Sequence, residues 1–139
     1  MKNNFFYKNL EFNAVIFKKS NELFLLARNY EFYSDFLMAL KSIPNNPKRR
    51  KKYKLLRPTK NLRDNISKSI HDFETVEFIF EEELSEILMI KEDEKKIIFY
   101  YNIEFIELME DTIKTLQWDN PYGEISVEGL LVCPNWWDV

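Results

Sequence analysis

The charges of this chain are divided between its two halves. Residues 1–70 carry 16 Lys and Arg against 5 acidic residues, whereas residues 71–139 carry 4 against 18, so the net charge of −3 conceals a basic half and an acidic half. The basic charge is densest in residues 44–60, where eight cations occur without one acid. Either the halves lie against each other within one fold, or each charged surface meets a partner of opposite sign.

Length and side-chain composition predict one folded domain. A chain of 139 residues with 22 aromatic side chains and only two glycines can bury a single sizeable core. No apolar run approaches the roughly 20 residues that a membrane-spanning helix needs. The N-terminal residues lack the sustained apolar segment of a signal peptide, so we predict an unprocessed cytoplasmic protein. The single cysteine, Cys133, cannot form an internal disulfide.

The first half of the chain predicts a hairpin and two helices around the basic segment. Two apolar runs within residues 11–28 flank a polar connection, which is typical of a β-hairpin. Apolar residues at helical spacing predict a helix over residues 31–42, which Pro44 ends. Residues 44–60 are predicted to form a long basic loop with a short strand near Tyr53. Thr59 can then cap a second helix over residues 59–71.

After residue 73 the apolar period changes from helical to alternating. Three apolar runs in residues 74–101 predict a three-stranded antiparallel meander, and Asn102 can cap a third helix over residues 103–117. A final strand is predicted at residues 125–133. The predicted fold is therefore α+β, with about three helices packed on an antiparallel or mixed sheet of about five or six strands.

The side chains that commonly carry enzymatic chemistry are scarce. His71 is the only histidine and Cys133 the only cysteine, so the sequence suggests neither a nucleophile–base pair nor a Cys–His zinc set. The two glycines form no phosphate-binding loop, and the acidic clusters show no calcium-loop spacing. We therefore predict that the protein is not an enzyme and uses no metal or cofactor.

The basic segment supports a nucleic-acid-binding hypothesis. Its cations, interleaved with Tyr53, can neutralise phosphates and bind nucleic acid with little sequence preference. The alternative is that the segment folds against the acidic half and serves only solubility and geometry. The residues predicted to contact nucleic acid are Lys48, Arg49, Arg50, Lys51, Lys52 and Lys54.

The acidic half supports a protein-binding hypothesis. Carboxylates on the third predicted helix can steer a basic partner, and aromatic side chains near the C-terminus can anchor it. Three acids at helical spacing opposite the predicted buried stripe should face solvent as one ridge. The residues predicted to contact a protein partner are Glu104, Glu107, Asp111, Trp118, Tyr122, Trp136 and Trp137.

The second half of the chain has an aromatic C-terminus and three acidic clusters, at residues 81–83, 92–94 and 104–111. In size and composition the chain resembles the small cytoplasmic immunity proteins of bacterial toxin systems, including those of contact-dependent growth inhibition. This resemblance implies a protein without chemistry of its own that binds a toxin domain, often a basic nuclease, and covers its active site. The basic segment departs from that pattern.

Overall fold

The computed structural model describes residues 12–28, 31–66, 69–116 and 124–133, which fold into two mixed β-sheets and three helices. The predicted α+β class is confirmed. In chain order the elements are β1 (Ala14–Lys19), β2 (Glu22–Ala27), α1 (Phe32–Ser42), a 3-10 turn (Ile43–Asn45), β3 (Arg50–Lys54), α2 (Lys60–Ile66), β4 (His71–Asp72), β5 (Thr75–Phe80), β6 (Leu88–Glu92), β7 (Lys96–Tyr101), α3 (Ile103–Thr115), β8 (Ile125–Val127) and β9 (Leu130–Cys133).

The first sheet has five strands in the order β4-β1-β2-β9-β8 and is buried on both faces. On one face, Ile16 and Leu25 join the principal core that the two sheets share with α1 and α3. On the other face, Val15 and Leu26 form a smaller cluster with Leu62 of α2. The predicted hairpin is confirmed as β1 and β2, which pair antiparallel across a two-residue turn.

The second sheet has four strands in the order β3-β5-β7-β6. Its inner face supplies the alternating apolar residues of β5 and β7 to the principal core. Both longer helices pack on this face, since the ring centroid of Phe36 in α1 lies 5.4 Å from that of Phe78, and the ring centroid of Phe105 in α3 lies 5.8 Å from that of Tyr101. The opposite face therefore points away from α1 and α3.

Two buried tyrosine hydroxyls fix α1 to both sheets. Tyr33 donates a hydrogen bond of 2.6 Å to the carbonyl of Cys133 in β9, and Tyr101 of β7 donates one of 2.8 Å to the carbonyl of Leu40. Burial raises the pKa of both hydroxyls, which keeps them protonated as donors. The helix thus has one position relative to the two sheets.

Several predicted helix boundaries agree with the structure. The helix predicted at residues 31–42 is α1, and the one predicted at residues 103–117 is α3. Asn102 caps α3 by accepting hydrogen bonds from the backbone N–H groups of Glu104 and Phe105. Thr59 caps α2 in the same way, through a 3.1 Å bond from the N–H of Leu62.

The predicted antiparallel meander at residues 74–101 is wrong in its order. β5 pairs in parallel with β7, and β6 lies at the sheet edge beyond it. The physical reason is burial: β7 contains the apolar run from Ile97 to Tyr101 and suits the sheet centre, whereas β6 ends in Lys91 and Glu92, which suit an edge.

Two other boundary predictions are also wrong. The helix predicted at residues 59–71 ends at Ile66, and His71 and Asp72 instead form β4, which pairs with β1. The final strand predicted at residues 125–133 is the hairpin of β8 and β9. Glu128 and Gly129 have φ angles of 52° and 91°, and left-handed residues at both turn positions are those of a tight two-residue hairpin turn.

Candidate functional site

Five residues of the basic segment form β3 (Arg50–Lys54), where the sequence predicted a long loop with a short strand near Tyr53. β3 is the edge strand of the second sheet and pairs antiparallel with β5, from Arg50 opposite Ile79 to Lys54 opposite Thr75. Strand alternation places Arg50, Lys52 and Lys54 on the outer face and turns Lys51 and Tyr53 to the other side. A strand at the sheet edge can carry this charge because its outer side chains stay in solvent. Lysines on a short edge strand also oppose edge-to-edge aggregation.

The outer face of the second sheet is a basic surface with apolar side chains between the charges. Five cations and one acid stand on it, and its apolar side chains are half-buried without joining either core. Within the described part of the chain, no helix or strand covers it. We call it the open sheet face, and its residues are Arg50, Lys52, Lys54, Thr75, Glu77, Ile79, Met89, Lys91, Lys96, Ile98 and Tyr100.

Glu77 is the single acid of the open sheet face, and its side chain is only 6% exposed. Arg50 Nε donates a hydrogen bond of 2.7 Å to one carboxylate oxygen, and Lys96 Nζ lies 3.2 Å from the other. The bond from Arg50, with the pairing to Lys96, outweighs burial and lowers the pKa of Glu77. The carboxylate therefore stays ionised and binds two of the five cations.

The other three cations of the open sheet face have no ion-pair partner among the described residues: Lys52, Lys54 and Lys91. Lys91 Nζ, on the edge strand β6, lies 5.2 Å from the ring centroid of Tyr100 on β7, a cation–π contact. These three ammonium groups are available to an incoming anion.

Helix α3 carries the opposite charge. Glu104, Glu107 and Asp111 are all exposed on α3, and none has an ion-pair partner among the described residues. At 3.6 residues per turn they lie, with Ile103, within an arc of about 100° on the side opposite the buried Met109. Lys114 is the cation on this arc, in the last turn of the helix.

Two large apolar side chains are exposed on α1 and α3. Ile103 is 55% exposed at the start of α3, and Met38 is 68% exposed on α1. The two helices lie side by side, joined by an ion pair of 3.6 Å between Lys41 and Glu110. We call this surface the helical face and define it by Met38, Ile103, Glu104, Glu107 and Asp111.

Much of the divided charge is paired internally. Of nine ion pairs among the described residues, seven join a cation of residues 1–70 to an acid of residues 71–139. The two halves therefore do lie against each other. The seven are Lys18–Glu92, Lys41–Glu110, Arg49–Glu82, Arg50–Glu77, Arg57–Asp72, Arg57–Glu74 and Arg63–Asp72.

The carboxylate of Asp72 forms salt bridges with two arginines. Its two oxygens accept bonds of 2.6 Å from Arg57 Nε and 2.5 Å from Arg63 Nη2, and its side chain is 6% exposed. Burial alone would raise the pKa of Asp72, but the two arginine hydrogen bonds outweigh it and the pKa is lowered. This cluster joins β4 to α2 and is structural.

The remaining sequence candidates are placed as follows. His71 is exposed, and its Nε2 lies 2.6 Å from the carbonyl oxygen of Glu94, which ties β4 to the β6–β7 turn. Cys133 is buried, and burial raises the pKa of its thiol to about 12. The aromatic residues predicted to contact a protein partner lie outside the described residues: Trp118, Tyr122, Trp136 and Trp137.

Comparison with known proteins assigns no family. No protein-family model matches the chain, and no curated protein matches it. Among the described residues, no group of three or more His, Cys, Asp or Glu could hold a metal ion, and no helix is long and apolar enough to cross a membrane.

Sequence reasoning missed part of each surface. Lys91, Lys96 and Tyr100 lie far from the basic segment in the chain, and only the strand order brings them beside β3. The available signal was the alternation within β6 and β7, which gives the face of each residue but not its neighbours. Met38 and Ile103 were not singled out, because helical spacing identifies the buried stripe but gives no signal for an exposed apolar side chain.

Proposed function

We propose that this protein is a non-enzymatic binding module that inhibits another protein, as an immunity protein covers the active site of its cognate toxin domain. The observation that carries the proposal is the helical face. Its three acids have no ion-pair partner among the described residues and lie on one side of α3, the helix that also exposes Ile103.

This combination suits recognition of a basic protein surface. Unpaired carboxylates speed the encounter with a basic partner, and an apolar side chain that becomes buried in the complex slows dissociation. A basic nuclease domain, which must itself attract phosphates, presents such a surface. The predicted anchors Trp118, Tyr122, Trp136 and Trp137 extend this proposal, and Trp137→Ala should speed dissociation of the complex.

The surroundings of the two reactive side chains support a role without catalysis. A thiol with a pKa near 12 is protonated at neutral pH, so Cys133 supplies no thiolate. The ring of His71 is bound to a backbone carbonyl and packs edge-on against Phe73, with ring centroids 4.9 Å apart. Both side chains are accounted for by packing.

The test is co-expression in a bacterial host with the toxin domain that a neighbouring gene encodes. The wild-type protein should restore growth and bind the purified toxin domain. Combined Glu104→Lys, Glu107→Lys and Asp111→Lys substitution should raise the Kd at least about a hundredfold, because like charges then face each other across the interface.

A matched control reverses three exposed acids at turns away from the helical face: Glu22→Lys, Glu94→Lys and Glu128→Lys. This variant should protect as well as the wild type, because its substitutions lie outside the helical face. It has the same net charge as the helical-face variant and so controls for a general charge effect. Equal protection by both variants, with the fold intact by circular dichroism, would place the interface elsewhere. The absence of a toxin gene beside this one would contradict the immunity role.

A further inference from the structure

The open sheet face is a second binding surface that the proposed function does not use. We propose that it binds single-stranded nucleic acid, with Lys52, Lys54 and Lys91 on the phosphates and Tyr100 beneath a base.

The strand register arranges this face in rows. One row runs from Arg50 through Ile79 and Tyr100 to Met89, which places the tyrosine ring between two apolar side chains. The next row runs from Lys52 through Glu77 and Ile98 to Lys91, and the last joins Lys54, Thr75 and Lys96. An aromatic ring thus stands on an inner strand of a sheet surface that has ammonium groups on both edge strands.

The charge of the face favours an anionic partner. Its five cations exceed its one acid by four, and the acid is buried beneath the salt bridges from Arg50 and Lys96. Two acids adjoin the face in the chain, Glu74 and Glu92, and they pair with Arg57 and Lys18. Asp93 and Glu94 lie in the β6–β7 turn beyond the last row. A polyanion that crosses the sheet meets cations at both sides.

The apolar centre favours a single strand over a duplex or an acidic protein. A base in a single strand exposes its flat surface and can stack on a tyrosine ring, whereas duplex bases are stacked on one another. Lys91 now contacts the ring of Tyr100, and its exposed flexible side chain can move to a neighbouring phosphate. An acidic peptide would satisfy the cations but would leave the stacking surface without a matching group.

The experiment is fluorescence anisotropy of labelled oligothymidylate and oligouridylate with the purified full chain, over a range of salt concentrations. Binding should weaken steadily as salt rises. Tyr100→Leu should weaken binding by about 5- to 150-fold, since the base then loses its aromatic platform. Lys91→Ser should lower the slope of log affinity against log salt by about 0.7, as expected when one phosphate contact to a single strand is lost.

Lys48→Ser is the matched control, because it removes one charge from the basic segment but lies in the turn before β3 and outside the open sheet face. It should leave both the affinity and the salt slope almost unchanged. A Lys48→Ser loss equal to that of Lys91→Ser would show that the segment acts by charge alone and would overturn the proposal.

Three further outcomes would also overturn it: no binding to either oligonucleotide at low ionic strength, equal affinity for a duplex together with a neutral Tyr100→Leu, or tighter binding to polyglutamate. The last would identify an acidic protein as the partner. The residues proposed to bind the toxin domain lie on the helical face. Failure of the oligonucleotide experiment therefore leaves the proposed function untouched, and failure of the rescue experiment leaves the nucleic-acid proposal untouched.

Discussion

At the scale of the residue, Asp72 shows how one carboxylate stabilises a junction that apolar packing leaves weak. β4 has only two residues and pairs with β1 over Phe17 and Lys18 alone. The salt bridges from Arg57 and Arg63 hold it against α2, which is only seven residues long. Helices this short are marginal without tertiary contacts, so the two elements depend on each other.

We predict that Asp72→Asn lowers the free energy of unfolding at neutral pH by about 1.5–3 kcal/mol, the usual range for hydrogen bonds to a charged group. The pKa of Asp72 is lowered in the folded state, so the stabilisation is complete above the unfolded-state pKa of about 3.9 and is lost as pH falls through the folded-state value. The difference between wild type and variant should therefore shrink below about pH 4. Urea unfolding across this pH range measures it.

Asp64→Asn is the control for this prediction. Asp64 is about half exposed and forms only an i,i+4 pair of 3.6 Å with Lys60, so its substitution should change stability by less than about 0.5 kcal/mol. Equal effects of the two substitutions would mean that the salt bridges of Asp72 stabilise the fold no more than the exposed pair of Asp64 does. A difference that persists undiminished at pH 3 would contradict the assigned protonation.

At the scale of the element, the sequence predicted the type of each segment more accurately than it predicted which strands pair. Local signals located α1, α3, the first hairpin and the caps at Thr59 and Asn102, because periodicity and capping depend on residues a few positions apart. The position of β7 between β5 and β6 depends on competition for burial among distant strands, which no local pattern records.

The same difference between local and long-range signals applies to the two candidate surfaces. Exposure of Glu104, Glu107 and Asp111 follows from helical period alone, and the structure places all three on the solvent side of α3. The open sheet face could not be predicted, because it combines β3 with strands some 40 residues further along the chain. Within the basic segment the sequence predicts a short strand near Tyr53, and the structure places that strand at Arg50–Lys54, where residues of high charge alternate between the two sides of the sheet.

A prediction about β3 compares the contributions to stability of two neighbouring cations on its outer face, Arg50 and Lys52. Arg50 binds the buried carboxylate of Glu77, whereas Lys52 has no ion-pair partner among the described residues. Arg50→Gln should therefore lower the thermal midpoint, because Glu77 keeps only Lys96, and the loss should diminish at high salt. Lys52→Gln, with the same loss of charge on the same strand, should leave the midpoint nearly unchanged. Equal shifts would indicate general charge effects in place of a specific pair.

At the scale of the whole molecule, the two proposed binding surfaces have opposite signs. The helical face and the open sheet face lie on opposite sides of the second sheet, because α1 and α3 pack on its inner face. A packed layer is about 10 Å thick, and the acids of the helical face lie beyond the α3 backbone as seen from the sheet. Their separation therefore exceeds the Debye length of about 8 Å at physiological salt.

Screening on this scale predicts that the two faces act independently. The triple Lys substitution at Glu104, Glu107 and Asp111 should abolish protection against the toxin domain while changing oligonucleotide affinity by less than about twofold at physiological salt, because the new charges lie beyond the screening distance. Combined Lys52→Ser and Lys54→Ser substitution should do the reverse. Measuring both activities for both variants distinguishes two independent sites from one shared surface. If each variant lost both activities while remaining folded, the toxin and the nucleic acid would compete for a single interface, and the division of the molecule into two faces would be wrong.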